Sequence, residues 1–380
     1  MRRFALAAIF LTAVLRFSPA ALAQSGTTAT GPGPILVHSR FGGQIFGFDI
    51  DQNGTEGILS EATSESGGNV LAAVETFDQA TGKILKVLTR TRTMDDFLTL
   101  GVVGNSVGLV EHEHVLGFLK VRRTFGLVNP LSGNQFDGVW TPPIGQKTLI
   151  QSVSRSQGSA TAAVLAFPTT SFSSVVFSSD VAANTFGPAI TLTDPNFTSS
   201  NVPVIAYDSA NNQAVVASKG SNPFGPPDLG LIDLTSGTQT VFTGVGTGFV
   251  NGLAVDSATG MACTTTEIDF SVQFYNLATH SGFSVPLPGA TTQFFSGADV
   301  EIDPVHQLFL VAQPNSSTAA SGSSIHVYDE SGNLIESLNG FSFSNAFNVV
   351  PAHIALNPNN RTGFVDGPDQ GVTELQSFSY

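Results

Sequence analysis

Short apolar runs recur along the chain, and the clearest of them end in Asp or Asn. They read Val204-Ile-Ala-Tyr-Asp208, Leu253-Ala-Val-Asp256, Val300-Glu-Ile-Asp303 and Ile354-Ala-Leu-Asn357. Each is followed by a tight turn and a second apolar run, such as Ala214-Val-Val-Ala-Ser218 or Leu308-Phe-Leu-Val-Ala312. Runs this short, bounded by Asp, Asn, Gly and Pro, predict β-strands rather than helices. Residues 297–338 spell out a whole unit. Strands are expected at 298–302, 307–312, 324–328 and 334–338, with turns at Asp303-Pro-Val-His306 and Asp329-Glu-Ser-Gly-Asn333 and a polar loop over 314–323. The same plan repeats over 202–243 and 251–287.

The intervals between the strand-ending residues are 48, 47 and 54 (256−208, 303−256, 357−303). A period near 50 with four short antiparallel strands per unit predicts the blades of a β-propeller. Upstream, Leu71 to Phe77 ending in Asp78, a segment near Glu113, and Leu149 to Ser154 before Ser156 complete a set of seven first strands. At the N-terminal end, 35–38, 44–49 and 57–60 resemble second, third and fourth strands without a first. At the C-terminal end, 353–356, 362–365 and 372–380 supply a first strand and its successors. The expectation is an all-β fold: one propeller over 34–380, with seven blades of four antiparallel strands and eight as the alternative. Strands from both ends of the chain would close it, which removes open sheet edges.

Residues 1–23 read as a signal peptide. Arg2 and Arg3 precede the apolar run Phe4 to Leu15, and Ala21-Leu-Ala23 is a small-residue cleavage signal. The run is shorter than the about 20 residues a membrane helix needs. Residues 24–33 read as a flexible leader. The expected product is secreted or periplasmic and monomeric, without a membrane span in the mature chain. Only 12% of residues are charged, and the formal net charge is −14. That charge repels a phosphate backbone and argues against nucleic acid as a partner. The one cysteine, Cys263, allows no internal disulfide and reads as a small buried apolar residue.

The chain has no Walker A loop or His-Glu-x-x-His pattern. Alternation along the first strands places Val204, Ala206, Gly252, Ala254, Asp299, Glu301, His353 and Ala355 on the expected channel side, with Glu111 from a weaker repeat. Its polar members, Glu111, Asp299, Glu301 and His353, are the candidate channel-lining residues and the candidate metal ligands. Carboxylates around one axis repel unless a cation or protons intervene. An oxygen-rich set suits Ca²⁺, and a carboxylate–His mixture also accepts a transition metal. The alternative is a water-filled polar channel without chemistry. In Glu111-His-Glu-His114, His112 and His114 share one strand face, which supplies two ligands and no third. The recurrent Asp208, Asp256 and Asp303 read as turn caps.

Ile302-Asp-Pro-Val-His-Gln-Leu-Phe-Leu-Val-Ala312 followed by Ser324-Ile-His-Val-Tyr328 resembles the repeats of bacterial surface propellers of the YVTN type. So does Leu356-Asn-Pro-Asn-Asn-Arg361 followed by Val372 to Tyr380. Both also resemble NHL-repeat, gluconolactonase-like and 6-phosphogluconolactonase-like propellers, although the Tyr-Val-Thr-Asn tetrapeptide is absent. The resemblance implies two functions. One is an exported, non-enzymatic scaffold of the cell surface or periplasm that binds a protein, glycan or small molecule at a propeller face. The other is a metal-dependent, lactonase-like hydrolase with its site in the central channel. There Asp299 or Glu301 would be a metal ligand or general base and His353 a proton carrier. Without a diagnostic catalytic set, the binding reading leads.

Overall fold

The computed structural model describes residues 32–380 except 52–54, 65–69, 92–99, 104–106, 116–120, 130–133, 141–147, 157–158, 160, 169–172, 181–184, 199–200, 202, 221, 223, 267–268, 290–298, 315–322, 342–352 and 367–373, and between 89 and 152 it describes the backbone alone. The expected signal peptide lies outside the described residues.

Strand β1 (Pro32–His38) comes first. Four strands then form a sheet in chain order: β2 (Gln44–Ile50), β3 (Glu56–Ser64), β4 (Val70–Asp78) and β5 (Ile84–Thr91). A second sheet holds β6 (Leu100–Val103), β7 (Val107–Val115), β8 (Val121–Asn129) and β9 (Asn134–Trp140). The third holds β10 (Thr148–Arg155), β11 (Thr161–Pro168) and β12 (Val175–Asp180), with its outer edge split between β13 (Thr185–Phe186) and β14 (Ile190–Thr191). Next come β15 (Val204–Asp208), β16 (Gln213–Ser218), β17 (Asp228–Asp233) and β18 (Gln239–Thr243). They are followed by β19 (Val250–Asp256), β20 (Met261–Thr266), β21 (Ser271–Asn276) and β22 (Ser281–Pro286). The last sheet of consecutive strands is β23 (Asp299–Asp303), β24 (Leu308–Gln313), β25 (Ser323–Asp329) and β26 (Leu334–Phe341). Finally β27 (Ile354–Asn357), β28 (Thr362–Asp366) and β29 (Glu374–Ser379) pair in order, and β1 is added outside β29.

Each first strand touches the first strand of the next sheet, from β2 through β6, β10, β15, β19 and β23 to β27, and β27 touches β2. The architecture is an all-β propeller. The expectation of seven like four-stranded blades, or eight, needs correction. Among the described residues six blades are built from consecutive strands, and one of these has its outer edge broken in two. The remaining sheet is composite: β1 pairs antiparallel with β29, Val37 opposite Leu375 and Leu36 opposite Gln376. Strands β2 and β3, expected in the closing blade, are instead the first two strands of the blade that follows it. Asp78 ends a third strand, and Glu111 and Glu113 lie on a second strand, not a first.

Burial along the strands follows from this geometry. In β16, β17 and β21 the central residues are all buried, because both faces of a blade pack on neighbours. The outermost β22 is exposed along nearly its whole length. Side chains stand perpendicular to a sheet, and blades are radial. Alternate residues of a first strand therefore face the preceding and the following blade, not channel and core. Leu253 and Val255 join the cluster of the preceding blade around Val215, Ala217 and Leu229. Ala254 joins Val300 and Phe309 of the following blade. Ala206 and Ala355, expected on the channel side, likewise pack in inter-blade clusters.

The hairpin turns share one construction. Asp208, Asp256 and Asp303 each accept a hydrogen bond from the backbone N–H two residues on, at 3.1, 2.8 and 2.9 Å. The residue four positions on is left-handed in each case: Asn212, Gly260 and Gln307, with φ of 50°, 71° and 56°. Asn357 and Arg361, with φ 53°, keep the same spacing. Turns between third and fourth strands repeat the scheme, Asp233 with Gly237 and Asn276 with His280. The caps between first and second strands are fully buried, whereas Asp233 and Asn276 are half-buried.

Candidate functional site

Ser156, Ser209 and Ser257 each follow the last residue of a first strand: β10, β15 and β19. Equivalent positions on three successive blades therefore bring three hydroxyls to one end of the axis. The Ser209 hydroxyl donates to Ser156 Oγ at 2.9 Å, and the Ser209 N–H donates to Ser257 Oγ at 3.0 Å. Ser156 and Ser257 come from blades separated by a whole blade, yet their Oγ atoms are 3.3 Å apart. The axis is thus narrow at this end.

Beside the serines is a cleft of about 420 Å³, lined also by Val255, Asp256, Glu301, Ile302, Pro304 and Val305. Asp256 is fully buried; its Oδ1 caps the turn, and its Oδ2 has no N–H donor. Glu330, on the last turn of the following blade, accepts the Thr259 hydroxyl. Burial and then the carboxylate of Asp256 push the Glu330 carboxyl above its ordinary range. The serine hydroxyls bond to one another, and the residues lining the cleft include no His or Lys to activate them. The arrangement can hold a ligand among three serine hydroxyls and two carboxylates.

Asp299, Glu301 and Asp303 share one face of β23, directed at the closing sheet. Asp299 Oδ2 accepts the Ile354 N–H at 3.0 Å and lies 3.6 Å from His353 Nδ1. Asp303 Oδ2 accepts the hydroxyl of the C-terminal residue, Tyr380, at 2.9 Å and meets His306 Nδ1 at 2.7 Å. Burial, followed by the charge of Asp303, drives the Tyr380 phenol far above its ordinary pKa. The fold thus brings Asp299 and His353 together at the start of their strands and places Glu301 on the cleft. Glu111 lies on β7 opposite Phe125, away from the first strands, and its side chain is outside the described residues, as are those of His112 and His114. Among the described residues, no three His, Cys, Asp or Glu side chains are grouped to hold one metal ion.

A second carboxylate pair grips the crossing from β1 to β2. Glu75 Oε2 accepts the Arg40 N–H at 3.0 Å, and Glu61 accepts those of Phe41 at 3.0 Å and Gly43 at 2.8 Å. Both side chains are buried. Burial, opposed by the Arg40 hydrogen bond and aided by the charge of Glu61, raises the Glu75 carboxyl to about 7. Cys263 is free and fully buried, as expected from its setting.

The serine group went unremarked in the sequence, although its signal was there. Asp208-Ser-Ala210 and Asp256-Ser-Ala258 repeat the same tripeptide at the same place in two units.

No protein-family model matches the chain, and no curated protein matches it. Solved structures do. The structure of U3-55K superposes with a TM-score of 0.63 at 11% identity, covering 92% of this chain and 100% of that one. A chain of the Mitotic Checkpoint Complex gives 0.58 at 14% identity, covering 98% and 99%. The Pan2 WD40 domain of Neurospora crassa gives 0.55 at 13% identity, covering 90% and 93%. At such identities the likeness shows the fold alone: a β-propeller with a WD40 domain among its structural neighbours.

Proposed function

We propose that the chain is an exported, non-enzymatic β-propeller that serves as a binding scaffold and engages a partner protein at the face carrying the serine cleft. The observation that carries this reading is the cleft itself. Turn residues of successive blades converge there, its serine hydroxyls hydrogen-bond to one another, and no His or Lys is among its lining residues. A WD40 domain and a chain of a multi-protein complex among the structural neighbours support a scaffold role. The basic, apolar and small-residue order of residues 1–23 supports export to the periplasm or cell surface, and the resemblance to YVTN-type repeats is in keeping with that location.

The test is selection from a random dodecapeptide display library on the immobilised protein, with lactone hydrolysis assayed in parallel. Enriched peptides should lose binding to Ser209→Trp, which fills the cleft, while the variant keeps its melting temperature. Peptides that bind the filled variant equally well, or turnover of lactones that depends on Asp299 and His353, would overturn the proposal.

A further inference from the structure

We infer that the cleft takes a basic side chain, an alkylammonium or guanidinium group presented by an extended segment of the partner. The inference rests on the binding role above and specifies its chemistry.

Three features of the cleft select the occupant. The first is charge. Asp256 and Glu301 line it, and the lining residues include no cationic side chain. Besides burial, the Asp256 charge and a hydrogen bond with Asp256 both push the Glu330 carboxyl up, so the two acids compete for a proton. An entering cation offsets that charge, whereas an entering carboxylate adds to it.

The second is hydrogen-bonding capacity. Asp256 is fully buried, and its Oδ2 is left without an N–H donor, with the acid Glu330 beside it. The serines also offer mainly acceptors. Ser209 donates both its N–H and its O–H, and either Ser156 or Ser257 donates to the other. One hydroxyl proton is left over among several free lone pairs. A purely apolar occupant would supply no donor to the Asp256 carboxylate.

The third is shape. Val255, Ile302, Pro304 and the exposed Val305 give the cleft an apolar wall. A long basic side chain lays its methylene stem on such a wall and keeps its charged head among oxygens. The volume of about 420 Å³ accommodates one such side chain with flanking backbone.

The experiment compares three capped tripeptides, Gly-Lys-Gly, Gly-norleucine-Gly and Gly-Glu-Gly, by saturation-transfer NMR on the full chain. The lysine peptide should show transfer centred on its side-chain methylenes and bind at least about tenfold more tightly than the other two, a difference worth about 1.4 kcal/mol. Its affinity should fall with added salt. Glu301→Gln should weaken the lysine peptide about fivefold or more without moving the melting temperature, and Asp256→Asn should act in the same direction. Should Asp256→Asn fail to fold, Glu301→Gln and the salt dependence decide the matter. Equal binding of the norleucine peptide, no binding of the lysine peptide, or indifference to Glu301→Gln would overturn the inference. Library peptides that lack Lys and Arg yet depend on Ser209 would overturn it while leaving the binding role standing.

Discussion

Two seams of the ring are built from opposite materials at the same positions. On β15 the residues facing the next blade are Val204, Ala206 and Asp208; on β23 they are Asp299, Glu301 and Asp303. The first seam closes over Val215, Leu229, Leu253 and Val255, an apolar contact that needs no particular partner atom. The second shares an apolar body of Leu310, Ile325, Ile354 and Phe378 but adds directional bonds at its inner rim, from Asp299 to Ile354 and from Asp303 to Tyr380. The polypeptide runs on across the first seam. The second borders the composite sheet, where the two ends of the chain must find each other without a peptide link. Apolar burial supplies energy at both seams; the carboxylates add register where continuity is missing.

Exchanging the two materials should have the largest effect. Ala206→Glu puts a carboxylate into the apolar seam with no partner, and we expect a loss of about 3 kcal/mol or more in urea unfolding. The reverse change, Glu301→Ala, should cost under about 1 kcal/mol, because half-buried Glu301 lies at the open cleft. Equal losses would remove the distinction between the seams.

The other flank of the composite sheet should respond to pH. Glu75 has a folded pKa raised to about 7 from 4.5. Its protonated form therefore contributes stability that is fully present below about pH 4.5 and lost as pH rises through 7. At most the contribution is about 3 kcal/mol. The melting temperature of the wild type should fall between pH 5 and 8, and Glu75→Gln should remove most of that slope. A variant with an unchanged slope would contradict the assignment.

Next in size is Tyr380→Phe. It removes the hydrogen bond to buried Asp303 and should cost about 2 kcal/mol, because the acceptor is charged. Tyr275→Phe, which loses a bond to the Val245 carbonyl in the apolar seam, should cost about 1 kcal/mol. Denaturant midpoints of the two variants compare the seams directly.

The first strands from β15 onward were legible because each is a short run with apolar residues that ends in Asp or Asn. The N-terminal third was not, and the turns explain why. Asp78 with Gly82 keeps the spacing of capping Asp and left-handed residue seen in Asp256 with Gly260, yet it ends a third strand. Local chemistry specifies the hairpin, and only pairing across the sheet tells which hairpin it is. The error shifted β1, β2 and β3 out of place and moved Glu111 onto a first strand. The channel set misled for another reason. Period-2 alternation reports two faces, and in a radial blade both faces meet neighbours. Asp299 and His353 therefore meet across a seam, and the serine group lies in turns that strand periodicity does not describe.

The ring is closed by β1 against β29. Leu36 and Gln376 are opposite one another in that pairing, and neither is fully buried. The double variant Leu36→Cys, Gln376→Cys, oxidised in its native state, should form a disulfide between the two ends of the chain. The buried Cys263 should stay reduced, and the unfolding free energy should rise by roughly 2–4 kcal/mol. If the two thiols stay unpaired in the folded protein, or if pairing them lowers the melting temperature, the ends do not meet in one sheet and the closure is wrong.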